Sequence, residues 1–244
     1  MKSSRLVFHD NDIFPEFYYI TDRHSLTVPA EADLLRRVRK IIAWGVGFVQ
    51  VREKDLTDRR LFELTRRIVK MAREIPRGSR CRVLVNGRAD IAVAAGADGV
   101  HLPSSSIGIS AIRAWIPKNF IVGVSVHTMR EVRAACDANA DYILVGHVFP
   151  TASKESMGAA LGVDFLRRAC IGASAPVLAL GGITAEHIPA VLQAGAAGVA
   201  GISLFQKDDE FVRLSRMFAH RGGSSIGGEF KEFINQTGSA LLNS

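Results

Sequence analysis

Along the chain, stretches with apolar residues at helical spacing alternate with short runs that are apolar throughout. At four places a helix-period segment closes on small residues and runs straight into such a run. These are Trp44-Gly45-Val46-Gly47-Phe48-Val49, Ala95-Gly96-Ala97-Asp98-Gly99-Val100, Ala138-Asn139-Ala140-Asp141-Tyr142-Ile143 and Ala194-Gly195-Ala196-Ala197-Gly198-Val199. A glycine or asparagine just past a helix end takes the left-handed conformation that a Cβ disfavours. An apolar run without alternation fits a parallel strand buried on both faces. The pattern predicts strands at 17–22, 47–52, 81–85, 98–102, 120–126, 141–146, 176–180 and 197–202. Helices are predicted near 31–43, 57–74, 88–95, 108–115, 129–138, 162–170, 184–193 and 207–219. Alternation of this kind predicts an α/β fold, and eight units favour one closed (β/α)8 TIM barrel over an open doubly wound sheet.

Size and composition agree. The chain has 244 residues and 48% hydrophobic content, against roughly 250 residues for a single barrel. The barrel is expected over residues 1–221, with 222–244 as a Gly/Ser-rich, then weakly amphipathic, tail or short helix (Phe230, Phe233, Ile234, Leu241). A homodimer is expected. The uncharged stretches 169–185 and 188–206 are broken by glycine and proline, so they read as barrel strands rather than membrane spans. Residues 1–16 lack the apolar core of a signal peptide. The three cysteines stand apart without metal-type spacing, which suits small core residues in a reducing compartment. A cytoplasmic location is the expectation. The formal charge is +7, but the cations lie on helix faces (Arg36, Arg37, Arg39, Lys40; Arg66, Arg67, Lys70, Arg73) without interleaved aromatics. That argues against nucleic acid and leaves small anionic ligands.

A barrel carries its site at the C-terminal ends of its strands. Those positions hold Thr21 and Asp22, then Gln50, Arg52 and Lys54, Asn86, His101, Ser125 and His127, and His147. Alternation along the second strand sends Arg52 and Lys54 to the same side as Gln50. Gly181 and Gly182 end the seventh strand and open a helix, while Gly201, Ile202 and Ser203 form the turn after the eighth. Glycines there let backbone N–H groups approach an anion, and barrel phosphate sites frequently follow these two strands. The site is thus expected to bind a phosphate ester. Three histidines after strands four to six could be zinc ligands, but their spacing is set by the fold units rather than by a metal motif. One of them as a general base is the preferred reading, because histidine ordinarily titrates near neutrality.

Several ordered blocks now add a resemblance: Tyr18-Tyr19-Ile20-Thr21-Asp22, Gln50-Val51-Arg52-Glu53-Lys54, Gly99-Val100-His101-Leu102, Gly123-Val124-Ser125-Val126-His127, Phe149-Pro150-Thr151-Ala152-Ser153-Lys154 and Ala179-Leu180-Gly181-Gly182-Ile183. Over nearly its whole length the chain resembles the thiamin-phosphate synthase superfamily. The resemblance implies a barrel that binds a thiazole phosphate. In the synthase branch, which joins a pyrimidine pyrophosphate to that thiazole, two aspartates hold Mg²⁺ against the pyrophosphate. One sits in an Asn-Asp pair after the third strand and the other in an acidic loop after the fourth. The matching positions read Asn86-Gly87 and Leu102-Pro103-Ser104-Ser105-Ser106 here. A polyanionic leaving group needs a hard cation to offset its charge.

In lacking both aspartates the chain is more similar to the thiazole tautomerase branch, as it is at Val85-Asn86-Gly87-Arg88-Ala89-Asp90-Ile91-Ala92 and Gly146-His147-Val148-Phe149. That branch aromatises a carboxythiazole phosphate by a proton shift and uses no metal. By resemblance the catalytic base is His127. Phosphate would rest on Gly181, Gly182, Gly201, Ile202 and Ser203, with Gln50, Arg52, Lys54, Asn86, Ser125, His147, Thr151, Ser153 and Lys154 around the substrate. The first expectation is therefore an isomerase without cofactor. A thiamin-phosphate synthase using Mg²⁺ is the alternative, and a non-catalytic protein that senses a thiazole or thiamin phosphate is the second.

Overall fold

Glycine or asparagine backbone at φ above zero ends the helices where the small-residue turns predict it. Gly45 (φ 103), Gly96 (φ 71), Asn139 (φ 57) and Gly195 (φ 92) all adopt the left-handed conformation, and each is followed within a few residues by a strand. The computed structural model describes residues 16–26, 30–75, 81–151 and 158–218. The strands are β1 (Glu16–Ile20), β2 (Phe48–Val51), β3 (Arg82–Asn86), β4 (Gly99–Leu102), β5 (Ile121–Val126), β6 (Tyr142–Gly146), β7 (Val177–Leu180) and β8 (Gly198–Gly201). They pair in parallel in chain order, and β1 pairs β8 with Phe17 opposite Val199, so the barrel closes.

The helices are α1 (Glu31–Trp44), α2 (Asp58–Glu74), α3 (Ala89–Ala94), α4 (Ile109–Arg113), α5 (Met129–Asp137), α6 (Gly162–Gly172), α7 (Ile188–Gln193), α8 (Ser203–Gln206) and α9 (Asp208–Met217). Two differences from the sequence reading concern the site. The helix expected over 184–193 is a 3-10 turn (Ala185–His187) followed by α7, with a proline in the first turn of the latter. Pro189 has no N–H to donate, so it is tolerated only near a helix start. The turn expected at Gly201, Ile202 and Ser203 is cut short, because Ser203 already begins α8.

Alternation along the strands sorts side chains into two cores. The outer one lies between sheet and helices; α2 feeds it with Leu61, Leu64, Ile68 and Met71 at helical spacing. The inner one fills the barrel with Tyr18, Ile20, Phe48, Leu84, Ile121, Tyr142, Leu144, Leu178 and Ala200. Gly123 is required here: a Cβ at this position would collide with the Tyr142 ring. No described helix is long and apolar enough to cross a membrane.

Candidate functional site

The β5 end is fixed by local chemistry. Thr128 and Glu131 form a capping box at the start of α5, which satisfies orphan N–H groups at a helix start. The Glu131 carboxylate accepts from Thr128 N (2.9 Å) and also from His127 N (2.6 Å). His127 is thereby held at the rim, half-buried, with Nδ1 hydrogen-bonded to the Gly146 carbonyl at the end of β6. Two residues earlier on the same strand face, Ser125 Oγ lies 2.8 Å from His101 Nε2.

His101 is almost fully buried at 3% exposure. Burial, helped by the nearby Arg52 charge, pushes its pKa down to about 3. Its other nitrogen meets the Tyr142 hydroxyl at 2.9 Å. Tyr142 bonds Tyr18 (2.9 Å), Tyr18 bonds Gln50 Oε1 (2.9 Å), and Gln50 Nε2 donates to Asn86 Oδ1 at 2.8 Å. Burial raises both tyrosine pKa values well above the usual range. Sequence reading placed Gln50, Asn86, His101 and Ser125 at the mouth but missed that two tyrosines link them. Tyr18 and Tyr142 lie in runs apolar on both faces, which hide the inward direction of a hydroxyl.

At the β2 end, Thr21 Oγ1 accepts from Arg52 N (2.9 Å). Arg52 is half-buried, whereas Lys54 is exposed in a turn, because β2 ends at Val51. The expectation that Lys54 continues a strand beside Gln50 is corrected accordingly. Glu53, 4% exposed, instead turns away to accept from Arg23 N (3.1 Å) and Arg23 Nη1 (3.0 Å). Arg23 and Glu53 form a clamp between the β1 and β2 loops that the sequence did not announce.

Across the barrel, β7 and β8 run side by side with Leu180 opposite Ala200, so their glycine turns leave the sheet together. Gly181 (φ 94) and Gly182 (φ 66) are left-handed. A Cβ on Gly182 would collide with the carbonyls of Phe149 and Pro150, and one on Gly181 with His147. His147 is itself only 6% exposed, so the structure packs it under the glycine turn rather than opening it to the mouth. Gly201 is buried at the end of β8, with Ile202 half-buried and Ser203 exposed as the first residue of α8. A short extra helix after the last strand is where barrels frequently seat phosphate. Thr151 is half-buried. Ser153 and Lys154, like the expected 222–244 tail, lie outside the described residues.

The carboxylates near the β3 end do not suit a hard cation. Asp58 and Asp90 both pair with Arg88, which holds their pKa values below the usual range. Glu53 is engaged by Arg23. Among the described residues, no group of three or more His, Cys, Asp or Glu side chains is placed to hold a metal ion. Mg²⁺ usually takes one or two carboxylates, and the rim offers Asn86, Gly87 and Ser104 where they would be needed. These residues do not fit the ion.

Comparison with known proteins places the chain. A family model described as thiamine monophosphate synthase matches residues 17–205. A putative thiamine-phosphate synthase of Geobacter sulfurreducens is 42% identical over 193 residues, 79% of this chain and 87% of that protein. Putative thiamine-phosphate synthase 2 of Aquifex aeolicus is 39% identical over 78% of this chain and 97% of that protein. Among solved structures, a thiamine phosphate pyrophosphorylase from Pyrococcus furiosus superposes with a TM-score of 0.71 at 29% identity, covering 83% of this chain and 94% of that one.

Proposed function

The chain belongs to the thiamine monophosphate synthase family, and we propose that its barrel mouth binds a thiazole phosphate and shifts a proton on it, with His127 as the base. The observation that supports this reading is the hydrogen bond between His127 Nδ1 and the Gly146 carbonyl. A carbonyl only accepts, so Nδ1 carries the hydrogen and the neutral ring keeps its lone pair on Nε2. That is the state a general base needs. The glycine turns after β7 and β8 hold the phosphate through backbone N–H groups. Arg52 and Asn86 orient the other end of the substrate.

The relatives' names favour the second reading, a transferase that joins a pyrimidine pyrophosphate to the thiazole phosphate. The comparisons carry this alternative further than they carry the tautomerase. The donor set at the β3 and β4 ends supports the first, since the carboxylates nearby are occupied by arginines.

One pair of assays separates them. The protein is incubated with the non-aromatic carboxythiazole phosphate and aromatisation is followed by absorbance; in parallel it receives both synthase substrates with Mg²⁺. Aromatisation that falls about 10²–10⁴-fold in His127→Ala, with ligand binding intact, is the expected result. Mg²⁺-dependent formation of thiamin phosphate, without aromatisation, overturns the proton shift in favour of the transferase. Binding with neither turnover would assign a sensing role.

A further inference from the structure

The barrel interior carries an unbroken hydrogen-bonded chain from one rim to another: Asn86, Gln50, Tyr18, Tyr142, His101, Ser125. Its four central members are at most 3% exposed, while Asn86 and Ser125 are half-buried at the mouth. The direction of each bond can be deduced from the fixed end. Gln50 Nε2 donates to Asn86 Oδ1, so Gln50 Oε1 is the acceptor for the Tyr18 hydroxyl. Tyr18 has then used its one hydrogen, and the hydrogen between the two phenols belongs to Tyr142. Tyr142 oxygen in turn accepts, which puts the His101 hydrogen on Nδ1. A neutral imidazole has one N–H, so Nε2 accepts from Ser125 Oγ. Burial and the Arg52 charge keep that ring neutral.

We propose that this chain sets the polarity of the mouth, locking Asn86 as a donor at the β3 rim and Ser125 as an acceptor at the β5 rim, with Tyr142 and His101 as positioning residues. Ser125 has given its only hydrogen to His101 and faces the ligand with lone pairs. Asn86 has committed its oxygen inward and faces the ligand with its NH₂ group, beside the Arg52 cation. The site therefore takes a small molecule that presents an anionic or acceptor group to the β3 side and an N–H or O–H to the β5 side. Reversing Ser125 alone is blocked, because every bond in the chain and the Gln50 amide would have to reverse with it. The inference holds for either reaction proposed above, as it concerns the ligand-free mouth.

Its test reads the His101 tautomer directly. Long-range ¹H–¹⁵N spectra of the full chain labelled with ¹⁵N-histidine, with His101 assigned through His101→Gln, are expected to show a neutral ring protonated on Nδ1 at neutral pH. Tyr142→Phe removes the central hydroxyl and is expected to leave a mixture of both tautomers. For whichever turnover the protein supports, the same variant lowers kcat about tenfold with KM within about twofold, as loss of a buried hydrogen bond implies. A wild-type ring protonated on Nε2 overturns the proposal without need of the variant. An unchanged tautomer in a folded Tyr142→Phe protein also overturns it, as does lost thermal stability with unaltered kcat. The spectrum needs no substrate, so its outcome is independent of whether the proposed reaction is found.

Discussion

Strands β7 and β8 contribute Leu178, Leu180 and Ala200 to the barrel interior and end in glycine turns. Strands β2 to β5 send Gln50, Asn86, His101 and Ser125 into the same space. On the first side main-chain groups lead in meeting a polar ligand, because the described interior side chains are apolar and the Ser203 hydroxyl stands only at the rim. On the second, side chains do the work, and each is held by its neighbour. Recognition by backbone tolerates little change of shape, whereas recognition by side chain tolerates little change of hydrogen bonding. The two sectors should therefore fail in different ways.

The largest effect should come from Leu178→Ala on the apolar side, where a buried leucine is removed from the inner core. Unfolding in urea should show a loss of about 2–5 kcal/mol, with turnover per folded molecule unchanged. Loss of turnover without loss of stability would break the division between sectors. Gly182→Ala comes next. It combines φ of +66 with collision against two carbonyls, and strain of about 1–3 kcal/mol should weaken a phosphate ester by tenfold or so in calorimetry. The His101 tautomer should not move.

On the polar side, pH provides the test. The folded His101 titrates at about 3, below its ordinary 6.5. Between those values the unfolded chain binds a proton that the folded chain does not, so His101 contributes a loss of stability as pH falls. His101→Gln should flatten the dependence of the urea midpoint between about pH 6.5 and 4. An equally steep dependence would assign it to other groups. Least of all, Arg88→Ala frees Asp58 and Asp90 at an exposed site, and surface ion pairs contribute little. Its melting temperature should stay close to wild type. If added Mg²⁺ then raises that temperature in the variant alone, Arg88 is what keeps the cation from the rim.

Much of the fold was legible because each unit repeats one local rule. A helix closes on a left-handed Gly45, Gly96, Asn139 or Gly195, and an apolar strand follows; all eight strands fall within two residues of their predicted bounds. Helix starts near the site were less legible, since α8 spans only Ser203–Gln206 and carries no periodic signal. Individual rim residues could be located by strand ends, but Lys54 could not, because alternation was extended to it although it lies in a turn three residues beyond Val51, the end of β2. Partnerships were hidden altogether. Tyr18 meets Tyr142 from 124 positions away, and Arg23 meets Glu53 across two loops.

Closure of the barrel has a consequence in time. Phe17 on β1 waits for Val199 on β8, about 180 residues later in the chain. At a synthesis rate of about 5–20 residues per second, the first strand is made some 10–40 s before its last neighbour exists. During that interval β1 lacks its β8 neighbour, and the Tyr142 partner of Tyr18 is made only 124 residues after it. The polar ladder can become continuous only after β6 has been made.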